Sequence, residues 1–185
     1  NRINHVYHLS VLSSEFNVNL KKINKVFEFG GGYGCMARIF SKINKKINFT
    51  CFDTNYVNLL QYYYLKQNNL NVGFEKKNNY FLISSFSENK KFLLKKFHNH
   101  FFIANWSLSE APIKFREQFL KMIENSKFIL ISFQEYFEGI DNLSYFLKLK
   151  KKLDKKFHIK ILKNQYYNGN IFRRQNHYFL IGKKL

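Results

Sequence analysis

The sequence predicts an α/β fold, a Rossmann-like three-layer sandwich built on a seven-stranded, mostly parallel sheet. Three observations carry that expectation. Short apolar runs alternate with helix-length segments along almost the whole chain, the pattern of strands joined by covering helices. The run Phe101-Phe102-Ile103-Ala104 is apolar at every position, as a central strand buried on both faces requires. The segment Val26-Phe27-Glu28-Phe29-Gly30-Gly31-Gly32-Tyr33-Gly34-Cys35-Met36-Ala37-Arg38 passes from an apolar run through a glycine cluster into a helix-like pattern. That is the strand–turn–helix unit with which α/β folds hold a nucleotide.

The elements follow in order. Val6 to Phe16 carries apolar residues at helical spacing and forms a leading helix. The first strand is Lys25–Phe29, and the helix after the glycines spans Cys35 to Ile43. The second strand, Ile47–Phe52, precedes a helix from Tyr56 to Gln67 that contains Leu59-Leu60 and Tyr62-Tyr63-Tyr64. A loop with Gly73 leads to the third strand, Tyr80–Ser84, and then to a short basic helix, Glu88–His98. The fourth strand, Phe101–Ala104, ends in Asn105-Trp106-Ser107-Leu108-Ser109-Glu110. Pro112, the only proline, stands near the start of a helix over Ile113 to Ile123, where its missing N–H is tolerated. The fifth strand is Lys127–Phe133, a long helix spans Leu143 to Phe157, and the sixth strand is Ile159–Lys163. A polar loop with Gly169, Tyr166 to Asn176, leads into the seventh strand, Tyr178–Ile181. That loop leaves no room for a crossover helix, so the last two strands are antiparallel.

A chain of 185 residues with 45% hydrophobic content is long enough to bury one full core. We read residues 1–185 as one domain with 1–24 as its leading helical segment. Asn1 in place of an initiator Met suggests a processed or excised piece of a longer chain. No apolar run approaches the ~20 residues that span a bilayer. The two cysteines, Cys35 and Cys51, read as buried small hydrophobes rather than a disulfide, which places the chain in a reducing cytoplasm. No zinc-ligand spacing is present, and no metal site is read. Net charge is +19, from 31 Lys and Arg against 12 Asp and Glu. Such a balance suits a nucleic-acid or anionic-surface binder. The scatter of lysines in pairs also suits ordinary solvated faces.

Two frames fit the glycines. Gly32, Gly34 and Ala37 match the dinucleotide spacing, with Asp53 as the acid about 20 residues on. The frame Glu28-x-Gly30-x-Gly32-x-Gly34 also accounts for Glu28 and Gly30, and a carboxylate there opposes a pyrophosphate. An ordinary strand-to-helix turn is the third reading. Ligands of open α/β sheets bind beyond the carboxyl ends of the strands. That rule gathers Glu28–Gly34, Asp53, Ser84-Ser85, Asn105–Glu110 and Gln134-Glu135 on one edge, joined by Arg173, Arg174 and His177 at the start of the last strand. His98 and His100 precede the fourth strand, at the opposite edge.

The frame from Glu28 to Gly34, with Asp53, resembles motif I and the second-strand acid of the class I S-adenosylmethionine-dependent methyltransferases. Leu59-Leu60-Gln61-Tyr62-Tyr63-Tyr64-Leu65-Lys66, Asn105-Trp106-Ser107-Leu108-Ser109-Glu110 and Ile131-Ser132-Phe133-Gln134 resemble segments of the bacterial sugar O-methyltransferases. The resemblance implies S-adenosyl-L-methionine as cofactor, held by Glu28, Gly30, Gly31, Gly32, Tyr33, Gly34, Asp53, Ser85, Asn105 and Trp106. It implies O-methylation of a sugar or nucleotide-sugar hydroxyl in glycan biosynthesis. Removal of the acceptor proton would fall to His177, Glu110 or Glu135, and Arg173 and Arg174 would bind an acidic or nucleotide-linked acceptor. Other readings are an RNA methyltransferase, an NAD-dependent reductase and a non-catalytic binding subunit.

Overall fold

The computed structural model describes residues 2–168 and 175–185. Its strands are β1 (Lys25–Phe29), β2 (Asn48–Phe52), β3 (Val72–Gly73), β4 (Tyr80–Ile83), β5 (Phe101–Asn105), β6 (Phe128–Gln134), β7 (Tyr136–Phe137), β8 (Ile140–Asp141), β9 (Phe157–Lys163) and β10 (His177–Lys184). Its helices are α1 (Arg2–Phe16), α2 (Cys35–Ile43), α3 (Asn55–Gln67), α4 (Phe86–Lys96), α5 (Ser107–Glu110), α6 (Ile113–Glu117), α7 (Leu120–Glu124), α8 (Asn142–Leu153) and α9 (Gln165–Asn168).

The main sheet runs β3-β4-β2-β1-β5-β6-β10-β9, and β10 is antiparallel to both of its neighbours. The expected three-layer α/β architecture is present. One layer packs Leu9, Leu12, Met36, Phe40 and Leu65 from α1, α2 and α3 on one face of the sheet. The other packs Leu93, Met122, Phe146 and Leu149 from α4, α7 and α8 on the opposite face. β5 shows why a central strand must be wholly apolar. Phe101 and Ile103 enter the first cluster, and Phe102 and Ala104 enter the second. Strand order reverses at β1, whose neighbours are β2 and β5. This switch point brings the end of β1 (Phe29) into register with Ala104 near the end of β5, the place where open α/β sheets bind their ligands.

Several boundaries depart from the sequence reading. The sheet has eight strands among the described residues, because Val72–Gly73 pairs with Tyr80-Phe81 as a two-residue edge. A strand that short leaves no periodic signal. The helix read over Ile113 to Ile123 breaks into α6 and α7. Arg116 and Phe119 are both fully buried, and the break lets each reach separate partners. Phe119 packs its ring against Phe86, Phe29 and Phe52, at centroid distances of 4.3, 4.7 and 5.0 Å. The long helix ends at Leu153, so β9 starts at Phe157. The loop after β9 holds the short α9, and β7 and β8 form a small hairpin around Gly139 at φ +80°. Among the described residues no helix is long and apolar enough to cross a membrane.

Candidate active site

The site begins where β1 runs out. Each motif glycine has its own reason to be one. A Cβ on Gly30 would collide with Ser107, whose hydroxyl donates to the Phe29 carbonyl, and a Cβ on Gly31 would collide with Cys51. Those two are needed for packing. Gly32 differs: it sits at φ +54° with open space in front of it. Its backbone N–H donates to Asp53 Oδ2 at 3.0 Å. Gly34, at φ +79°, starts α2, and Tyr33 is exposed beside it.

Asp53 ends β2 and is the centre of the turn. Its Oδ1 accepts the Thr54 N–H at 2.8 Å, and its Oδ2 also accepts from Gln61 Nε2 at 3.2 Å. Burial raises its pKa, and the backbone donors of Thr54, Gly32 and Gly31 oppose that. Glu28 lies beneath the turn, fully buried, and its Oε2 has no hydrogen-bond partner. Burial, then the nearby Asp53 charge, push its pKa up to about 8, so the group is protonated at neutral pH. The sequence reading set Glu28 where its carboxylate meets a ligand. The structure sets it under Gly31 as a neutral acid.

Across the switch point lies the end of β5. Asn105 is buried, and its Oδ1 accepts from His8 Nδ1 at 2.8 Å. Its Nδ2 lies 3.4 Å from His5 Nδ1. Trp106, in the left-handed region at φ 63°, donates its Nε1–H to His177 Nδ1 at 3.0 Å. Neutral His177 therefore carries its proton on Nε2. His8 is fully buried among Trp106 and Phe179, with ring centroids 5.2 and 4.9 Å away. Burial lowers its pKa to about 4, against the hydrogen bond to Asn105.

Sequence reasoning missed His5 and His8 altogether. They lie three residues apart on α1, a spacing that shares a helix face, and that spacing was the available signal. The remaining candidates fall as follows. Glu110 is exposed, with Oε1 3.4 Å from Gln134 Nε2, and Gln134 Oε1 accepts from Ser109 Oγ at 2.9 Å. Glu135 Oε2 accepts from Asn176 Nδ2 at 3.1 Å. Ser85 caps α4 by accepting the Glu88 N–H at 3.4 Å. Arg173 and Arg174 lie outside the described residues. His100 is buried at the opposite edge, among Phe27, Phe97 and Phe102. Among the described residues no group of three His, Cys, Asp or Glu is placed to hold a metal.

No family model matches the chain, and no curated protein matches it. Solved structures do. The methyltransferase domain of bacterial CtHen1 matches with a TM-score of 0.64 at 16% identity, over 97% of this chain and 98% of that one. An rRNA methylase from Streptococcus thermophilus matches with a TM-score of 0.64 at 13% identity, over 99% and 95%. A precorrin-6y C5,15-methyltransferase from Geobacter metallireducens matches with a TM-score of 0.59 at 12% identity, over 94% and 85%. The chain therefore has the Rossmann-like fold seen in methyltransferases that act on very different acceptors.

Proposed function

We propose that this chain is an S-adenosylmethionine-dependent methyltransferase that O-methylates a sugar hydroxyl in a surface glycan or its precursor. The observation that carries the cofactor is the Asp53–Gly32 contact beside open space. A dinucleotide turn offers its backbone N–H groups to a pyrophosphate. Here the Gly32 N–H is already taken by a carboxylate, which repels phosphate and suits a ribose diol. Gly32 and Asp53 would hold the cofactor, Tyr33 would flank it, and Asn105 and Trp106 would close the far wall. When bound, the cofactor supplies a methyl group on a sulfonium for in-line displacement. The protein then has to align the acceptor oxygen and take its proton. Among the candidate bases the carboxylates of Glu110 and Glu135 are favoured, because His177 Nδ1 already accepts from Trp106.

A sugar acceptor is supported by the segments that resemble sugar O-methyltransferases and by tyrosines exposed around the carboxyl edge. Tyr33, Tyr136 and Tyr166 all stand there exposed, and a flat ring face packs well on a pyranose. An RNA acceptor is the second reading, favoured by the net charge of +19. The test is calorimetric titration with S-adenosylhomocysteine, with NAD as control and Asp53→Ala as the variant. The expected result is micromolar binding that falls at least tenfold in the variant, on the order of 1.4 kcal/mol. Absence of binding to the folded wild type, or tighter binding of NAD, refutes the proposal. Nucleotide sugars and RNA then compete as methyl acceptors, and cofactor binding without any turnover would leave a binding subunit.

A further inference from the structure

Helix α3 buries two polar residues beside its one fully buried apolar residue, Leu65, and exposes an apolar stripe. Its polar residues Asn58 and Gln61 face the sheet and are fully buried, where they bond Asp53 at 3.2 Å each. Its apolar residues Tyr56, Leu59, Leu60 and Tyr63 face outward, with 86, 58, 41 and 64% of their surfaces exposed. Their spacing, i, i+3, i+4, i+7, makes one continuous stripe. Leu65, Tyr62 and Tyr64 anchor the helix on the core, so the four outward residues are surplus to its packing, and contiguous exposed apolar surface of this kind marks an interaction site.

Helix α1 lies beside α3: Arg2 Nη2 donates to the Tyr64 hydroxyl at 3.1 Å, and Ile3 and Val6 on α1 are exposed as well. Between α1 and α2 lies an apolar groove of about 580 Å³, with Leu9, Ile39 and Ile43 in its lining and Arg2, Arg38 and Lys42 beside them. Charge on this layer is one-sided. α2 and α3 contain no acidic residue. The one acid of α1, Glu15, is paired to Lys160 at 2.8 Å.

We propose that the α1–α3 face docks on an anionic lipid membrane surface, with the α3 stripe in the interfacial layer and Arg2, Arg38, Lys42 and Lys66 against headgroup phosphates. Apolar area and basic charge together are the two signals that peripheral docking takes, and tyrosine rings suit a boundary that is oily on one side and wet on the other. A second copy of the chain is a poor occupant, since it would set one basic face, its one helical acid already paired, against another. A nucleic acid would use the cations but gain little from exposed leucines. The inference is independent of the cofactor reading.

The test is cosedimentation with vesicles that are one quarter phosphatidylglycerol, against pure phosphatidylcholine. The wild type is expected to bind the first and not the second, and to release at about 0.5 M salt. Leu59→Ser combined with Tyr63→Ser, checked for an unchanged circular dichroism spectrum and melting midpoint, is expected to weaken binding roughly tenfold. Tyr56→Ser alone serves if the double variant unfolds, and Leu147→Ser on the far side is expected to change nothing. The proposal is overturned by a wild type that stays in the supernatant, by a stripe variant that binds as well as wild type, or by a dimer in equilibrium sedimentation that the stripe variant dissolves.

Discussion

A carboxyl group buried as deeply as Glu28 ties stability to pH. Its folded pKa of about 8 lies above the ordinary 4.5. Between those values the folded state keeps the proton that the unfolded chain has released. The unfolded state then binds fewer protons, so stability falls as pH rises through the window. The contribution is whole below pH 4.5 and lost above about pH 8. Glu28→Gln removes the titration. Urea unfolding should show the variant gaining on the wild type by up to about 1.4 kcal/mol per pH unit across that window. Parallel stability curves would mean that Glu28 is ionised in the fold. Trp106→Phe makes a second residue-scale prediction, because it keeps an aromatic ring on the wall and removes the indole N–H that His177 Nδ1 accepts. With Glu110 or Glu135 as the base, cofactor affinity and turnover should both hold within about threefold. A roughly tenfold fall in turnover alone would move the base to His177.

Among the elements, α6 owes its position to Arg116. Arg116 is fully buried, and its hydrogen bonds go to neutral oxygens. Its three nitrogens donate to Ala111 O, Asn142 Oδ1 and Ser109 O, each at 2.7 Å, and it stacks 4.8 Å from the Tyr145 ring. Those bonds tie the segment after β5 to α8. Arg116→Met keeps the apolar stem and strands three acceptors, so denaturant midpoints should report a loss of about 3 kcal/mol or more. A loss below about 1 kcal/mol would mean that water replaces the guanidinium. None of this was legible in the sequence, where Arg116 is one cation inside the segment read as a single helix over Ile113 to Ile123. The strands were legible because β1, β2, β5 and β6 lie buried on both faces and are written as near-continuous apolar runs. The glycine turn and Asp53 were legible because their constraint is local. His5 and His8 were not, since their shared partner Asn105 lies about a hundred residues away. The facing of α3 was not either. Periodicity shows that a stripe exists, and only the burial of Asn58 and Gln61 under the glycine turn shows that it points outward.

At the scale of the molecule, the net charge of +19 makes salt the variable that separates folding from binding. Acids are few, and Glu124 alone serves Lys121, Lys152 and Lys156, at 3.8, 3.3 and 3.9 Å. Most lysines therefore repel one another in the compact state, and added salt relieves that repulsion. Raising monovalent salt from about 0.05 to about 0.5 M should lift the melting midpoint by roughly 3 °C or more. The same addition should release the protein from anionic vesicles, because there it screens an attraction. S-adenosylhomocysteine carries no net charge and should bind with almost no salt dependence. An RNA acceptor that neutralises several lysines should lose affinity steeply, at close to one power of salt concentration per phosphate contact. An uncharged sugar acceptor should behave like S-adenosylhomocysteine, and a nucleotide sugar, with only its diphosphate charge, should show a shallow dependence. Initial methylation rates measured along that salt series at fixed temperature thus distinguish the two acceptor classes. A steep fall in rate while the fold grows more stable would select RNA, and a flat or shallow profile would select the sugar.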